Sequence, residues 1–178
     1  MITVISGTNR TGSRTLVFAA HFVEQLRALG EDAQLLDLAE LNPEFLPRGV
    51  YKAGAMVPEL VALQRQYMLD AGKFAIFVPE YNGSYPGVLK MFIDGISVNE
   101  YPRIFGGKYV ALAGVASGRA GNLRGMDHLA AVVNHMGGWV LPAMLPLSNI
   151  ESLIEEGKLT DPGTINALKT QAEQLIAA

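Results

Sequence analysis

Ser6-Gly7-Thr8-Asn9-Arg10-Thr11-Gly12-Ser13-Arg14-Thr15 is the stretch on which the fold turns. Ahead of it, Ile2-Thr3-Val4-Ile5 is short, apolar and β-branched, as a buried strand is. Behind it, Leu16-Val17-Phe18-Ala19-Ala20 begins a helical spacing of apolar side chains. A strand, a loop rich in Gly, Ser, Thr and Asn, and then a helix together make an anion site. The unpaired N–H groups of the first helical turn face the loop, and the helix dipole adds partial positive charge there. Three hydroxyls (Thr8, Ser13, Thr15) and two guanidinium groups (Arg10, Arg14) supply further donors.

Spacing sorts the kinds of phosphate site. A dinucleotide fingerprint fails because Thr8 and Asn9 follow Gly7, so the second glycine of G-x-G-x-x-G is missing. A triphosphate loop fails at Ser13, which stands where G-x-x-x-x-G-K-[ST] needs lysine. A single terminal monophosphate held by hydroxyls and backbone N–H groups fits the residues better, and flavin mononucleotide (FMN) makes that demand. The competing reading is a polar loop between strand and helix with a good N-cap.

The 178 residues fit one domain, 1–178, with room for a substantial core. Apolar residues make up 49% and charged ones 17%, below the usual quarter, which leans towards a homo-oligomer, dimer or tetramer. A formal charge of −3 gives no basic footprint for nucleic acid. Without cysteine there are no disulfides, thiolate nucleophiles or iron–sulfur clusters, so redox chemistry needs a bound group. The amino end has no charged n-region, and no apolar run nears the ~18 residues of a membrane span, so a cytoplasmic protein without membrane contact is expected.

Along the chain, a helix is expected over about residues 13–29, with Leu16, Ala20, Val23 and Leu26 or Arg27 sharing its inner face and Gly30 as its stop. Residues 33–38 read as a second strand. Residues 39–58, with Pro43, Pro47, Pro58, Gly49 and Gly54, read as a long functional or interface loop. Further elements are a helix from Glu59 to about Ala71, a strand over 73–78, a helix over 88–98, a strand over 109–115 and a helix from about Asn122 to Met136. A fifth strand opens at Trp139-Val140-Leu141-Pro142, and Asp161-Pro162 starts a last helix with an inner stripe of Ile165, Leu168, Ala172, Leu175 and Ile176. Glu151, Glu155 and Glu156 read as a solvated helix face. Short apolar strands alternating with helices indicate a parallel, doubly wound α/β sheet.

In such a sheet, ligands bind beyond the carboxyl ends of the strands. Three polar loops open there: the first stretch, Pro79-Glu80-Tyr81-Asn82-Gly83-Ser84-Tyr85-Pro86-Gly87, and Ser117-Gly118-Arg119-Ala120-Gly121. Tyr81 and Tyr85 suit a flat ring, and Asn82 can both donate and accept, as the edge of a flavin requires. Alternatively the second loop is a Pro/Gly/Asn turn whose tyrosines cover core.

With S-G-T-N-R-x-G-S at 6–13 and P-E-Y-N-G-S-x-P-G-x-L-K at 79–90, followed by Ile93-Asp94, the chain resembles the NAD(P)H-dependent FMN reductases. The resemblance implies a flavodoxin-like three-layer sandwich around a five-stranded parallel sheet of order 2-1-3-4-5, with helices on both faces. It implies FMN as cofactor, NADPH or NADH as co-substrate, and a small-molecule acceptor such as a free flavin, quinone, azo dye or metal oxyanion. It assigns Thr8, Arg10, Ser13 and Thr15 to the FMN phosphate. Pro79, Glu80, Tyr81, Asn82 and Gly83 fall to the isoalloxazine edge, and Ser117, Gly118 and Arg119 to its pyrimidine end. The chain departs from the family pattern at Met91 and Gly95, where Asn and Trp are frequent.

Hydride transfer needs donor and acceptor atoms held within about 3–3.5 Å, and the cofactor carries the chemistry, so no catalytic acid or base is expected. One site used twice predicts ping-pong kinetics. The rival functions are a flavodoxin-type electron carrier, against which the mild charge argues, and a flavin-binding sensor without turnover. Arg14 and Arg119 are candidates for a nicotinamide 2′-phosphate. His21, His128 and His135 read as surface, boundary or interface residues rather than ligands, Asp94 as structural, and Met126 and Met136 as packing.

Overall fold

The computed structural model of the chain describes residues 1–42, 51–52 and 56–178. Most of the loop expected over 39–58, including Pro43, Pro47, Gly49 and Gly54, lies outside the described residues. The central sheet is formed by β1 (Ile2–Ser6), β2 (Ala33–Asp37), β3 (Lys73–Pro79), β4 (Tyr109–Val115), β5 (Trp139–Val140) and β6 (Leu145–Leu147). Its order is β2-β1-β3-β4-β5, with β6 also pairing β4, and every pairing is parallel. The helices are α1 (Thr15–Ala28), α2 (Pro58–Leu63), α3 (Gly87–Ile96), α4 (Tyr101–Ile104), α5 (Leu123–His135) and α6 (Pro162–Ala177). The expected three-layer architecture and sheet order are therefore present.

The period of two along each strand divides the core. Ile5 of β1, Phe74, Ile76 and Val78 of β3, and Val110 and Leu112 of β4 face α2, α3 and α5. Ile2, Val4, Ala75, Phe77, Ala111, Ala113 and Val115 face α1 and α6. The small alanines on that second side leave room for the aromatic face of α1, where Phe22 meets Phe77 edge-on at 5.4 Å. The inner stripe of α1 is thus Thr15, Phe18, Ala19, Phe22, Val23 and Leu26. Leu16 and Ala20, expected inward, are only half-buried. The two phenylalanines carry more apolar area than Leu16 and Ala20 and turn the helix to bury it.

Two further departures lie at the edge of the sheet and beyond it. The fifth strand is split, with β5 pairing the start of β4 and β6 its end, and the chain leaving the sheet at Pro142. Proline has no N–H for the ladder, and a side chain from α6 fills the gap. Gln171, buried at 3% exposure, donates through Nε2 to the Leu112 carbonyl at 3.0 Å and to the Ala143 carbonyl at 3.2 Å. Gln171→Leu removes the donor to the buried Leu112 carbonyl and breaks the half-buried bond to Ala143, and is expected to cost about 2 kcal/mol. That lowers Tm by about 4–8 °C for a chain of this size. A thermal melt with Tm within a degree of the parent would contradict this role.

The second departure is at 150–159, where a solvated helix face was expected. Ile150–Leu153 form one 3₁₀ turn, and β7 (Ile154–Glu155) and β8 (Lys158–Leu159) make an antiparallel hairpin. Glu156 and Gly157 take φ of 47° and 76° at its turn, the positive values a tight two-residue hairpin requires.

Candidate functional site

The first loop leaves β1 at Gly7, whose N–H donates to the Phe77 carbonyl at 2.9 Å. A Cβ on Gly7 would stand 2.9 Å from that same oxygen, so only glycine lets the loop start this close to β3. Thr8 is buried, and its Oγ1 accepts from the Arg10 N–H at 3.2 Å. Ser13 Oγ accepts from the Thr15 N–H at 3.2 Å, a side-chain turn that starts α1. Gly12 holds φ at 69° between them. Among the described residues, the backbone N–H groups of Thr11, Gly12 and Arg14 make no hydrogen bond. Donors without protein acceptors at the mouth of a helix, flanked by Arg10 and Ser13, suit a phosphate.

The second loop begins where the Glu80 N–H donates to the Val115 carbonyl at 3.0 Å, extending the β3–β4 pairing by one bond. Tyr81 and Ser84 then exchange backbone hydrogen bonds of 2.9 and 3.1 Å. Asn82 and Gly83 between them have φ of 52° and 78°, the signature of a type I′ turn. This turn aims the Tyr81 ring back at the first loop, and the Tyr81 hydroxyl lies 2.7 Å from Thr8 Oγ1. One hydrogen bond therefore ties two loops separated by 73 residues.

The third loop is held to both sides. Asn122, buried with φ of 58°, donates from Nδ2 to the Val78 carbonyl at 2.9 Å and accepts the Gly125 N–H on Oδ1 at 3.1 Å, capping α5. Gly114 and Gly121 allow the loop to lie directly on β4 and Pro146, because a Cβ on Gly114 would sit 2.1 Å from the Gly121 carbonyl. From the other side, the Asn149 N–H donates to the Gly118 carbonyl at 3.2 Å.

Together the loops enclose a cleft of about 630 Å³ at the carboxyl edge of the sheet. Its walls include Arg10, Ser13 and Thr15 from the first loop, Pro79, Glu80 and Tyr81 from the second, and Ser117 and Gly118 from the third. Four residues assigned to the site in the sequence do not line it. Thr8 lies behind the wall, under Tyr81. Asn82 and Gly83 form the turn, and Arg119 is exposed outside the cleft. The structure adds Ile150 and Glu151 from the 3₁₀ turn after β6. Glu151 Oε1 pairs with Arg14 Nη1 at 2.6 Å, so Arg14, a candidate for a 2′-phosphate, is engaged at the cleft rim. No local pattern signals a contact across 137 residues.

Other reactive groups lie elsewhere. His128 and His135 are exposed on α5, and His128 Nδ1 is 2.9 Å from Ser84 Oγ. Asp94 is bound at 2.6 Å by Lys90 one turn away; the bond to Asp94 holds the Lys90 ammonium above its ordinary value. Met126 and Met136 are buried packing residues. Burial pushes the His21 imidazole below its usual value. Among the described residues, no group of three His, Cys, Asp or Glu side chains could hold a metal. No described helix is long and apolar enough to cross a membrane.

With this geometry in place, the comparisons with known proteins are specific. The family model described as NADPH-dependent FMN reductase matches residues 1–151. A 2-hydroxy-1,4-benzoquinone reductase of a Burkholderia species is 35% identical over 79 residues, 44% of this chain and 43% of that protein. An NAD(P)H-dependent FMN reductase of Pseudomonas aeruginosa is 29% identical over 174 residues, 97% of this chain and 86% of the relative. Among solved structures, the flavoenzyme NAD(P)H:(acceptor) oxidoreductase FerB of Paracoccus denitrificans superimposes with a TM-score of 0.76. At 21% identity the likeness covers 99% of this chain and 94% of that one, and it shows the fold.

Proposed function

The chain belongs to the NADPH-dependent FMN reductase family, and from that premise we propose that it moves reducing equivalents from a reduced nicotinamide to a small-molecule acceptor by way of FMN held in the three-loop cleft. The observation that carries this reading is the meeting of the three loops: bare N–H donors and Arg10 at the amino end of α1 face the same space as Tyr81, Glu80 and Gly118. The residues present fit FMN, with a doubly charged end for the first loop and a flat, edge-polar ring for the other two.

When bound, FMN supplies the hydride chemistry. The chain supplies placement. Arg10, Ser13 and the N–H groups of the first loop bind the phosphate, helped by the partial positive charge of α1. Thr8 acts from behind the wall, fixing the Tyr81 hydroxyl and with it the angle of the phenol ring. Pro79 and Tyr81 present apolar surface to the ring system, and the 117–118 backbone offers donors where negative charge builds on reduction. Donor and acceptor use the cleft in turn, which gives ping-pong kinetics.

Steady-state oxidation of NADPH and NADH, with FMN supplied and a quinone, an azo dye or free flavin as acceptor, tests this. Turnover with parallel double-reciprocal lines is expected, whereas intersecting lines contradict the shared cleft. A protein that binds FMN and exchanges single electrons quickly but oxidises NADPH slowly is a carrier. One that binds FMN without either reaction is a sensor.

A further inference from the structure

Arg14 is placed between Ser13 and Thr15 at the amino end of α1, yet its guanidinium is bonded to Glu151 at 2.6 Å, and both side chains line the cleft. The charged residues of the cleft wall are Arg10, Arg14, Glu80 and Glu151, so a pocket that must receive a dianion is formally neutral. We propose that Glu151 competes with the cofactor's phosphate for Arg14, and that this exchange sets how tightly the cleft takes a doubly charged group. The inference rests on the FMN reading above and adds to it the residue pair that tunes affinity.

Exposure and the chemistry of phosphate make the pair an exchange rather than a fixed strut. The side chains are 49% and 67% exposed, and an ion pair so open to water shifts an equilibrium by about fivefold at most, ~1 kcal/mol. A phosphate bearing nearly two charges and several acceptor oxygens outbids one carboxylate for a guanidinium. The carboxylate, in contrast, is held close by backbone and stays near the rim after release. The Asn149 N–H donates to the Gly118 carbonyl and the Ile150 N–H to the Ala116 carbonyl, which anchors the turn carrying Glu151 to the third loop. Glu151 thus weakens phosphate binding twice, by occupying Arg14 and by repelling the incoming charge.

The test is a titration of the full chain with FMN and with riboflavin, which lacks the phosphate, followed by quenching of flavin fluorescence. Glu151→Gln is expected to lower the Kd for FMN about fivefold and to leave that for riboflavin unchanged. In an Arg14→Gln background the same substitution is expected to change FMN affinity by less than about twofold, because the shared cation is gone. An unchanged or higher FMN Kd in Glu151→Gln overturns the proposal. So does a gain of equal size in the Arg14→Gln background, which would make Glu151 a source of bulk repulsion only. A parent protein that fails to bind FMN refutes the underlying FMN reading, whereas a parent that binds FMN with Glu151→Gln indistinguishable from it refutes the competition alone.

Discussion

A methyl group at Gly114 is expected to lower the unfolding free energy by about 3 kcal/mol, at the upper end of what overpacking costs, and Tm by about 6–12 °C for a chain of this length. The Cβ of Gly114→Ala would stand 2.1 Å from the Gly121 carbonyl and 3.0 Å from Met126 Cε. The methionine end can move aside, but the carbonyl cannot move alone. Gly121 is itself locked, with φ of 55° and no room for a Cβ against Pro146. Relief therefore requires the whole third loop to lift from β4, carrying Ser117 and Gly118 away from the cleft wall. FMN affinity should fall together with stability. Gly118→Ala is the matched control: no atom lies within 4 Å of its Cβ and its φ is not positive, so its Tm should stay within about 2 °C of the parent. Equal melts for the two variants would remove the close-approach argument.

Arg10→Ala combined with Ser13→Ala is expected to weaken FMN binding about 100-fold, the combined effect of one charge-assisted bond and one neutral bond to the phosphate. Folding should suffer far less. Arg10 is exposed, and Ser13 contributes one 3.2 Å bond to the Thr15 N–H, worth about 1 kcal/mol as a helix cap is. Riboflavin, which has nothing for the first loop to hold, should bind the variant and the parent alike. If FMN affinity is unchanged, the first loop does not hold the phosphate.

The elements that were legible in the sequence are those whose signal is local. β3 and β4 are continuous apolar runs buried on both faces, and they appear at the expected positions within a residue. Asp161-Pro162 announces α6, and the Asp161 carboxylate accepts the Thr164 N–H at 2.6 Å as an N-cap should. Asn82-Gly83 was expected at the isoalloxazine edge, with a Pro/Gly/Asn turn as the competing reading, and the two residues form a turn. What escaped depends on partners distant in the chain. The split of the fifth strand follows from Pro142 together with a glutamine on α6. Glu156-Gly157 conceals a hairpin because glutamate seldom takes positive φ. Glu151 looks like one more solvated acid until the fold sets it against Arg14. The rotation of α1 was missed for another reason: both candidate stripes are apolar, and only the alanines of β3 and β4 show which one has room.

The central claim is that the amino end of α1 and the loops facing it grip the phosphate of a flavin. The most direct measurement is a fluorescence-quenching titration of the purified parent chain with FMN and, in parallel, with riboflavin. Saturation at one FMN per chain is expected, with riboflavin weaker by about 100-fold or more, the worth of a dianion at such a site. Equal affinity for the two flavins, or no saturable binding of FMN, would contradict it.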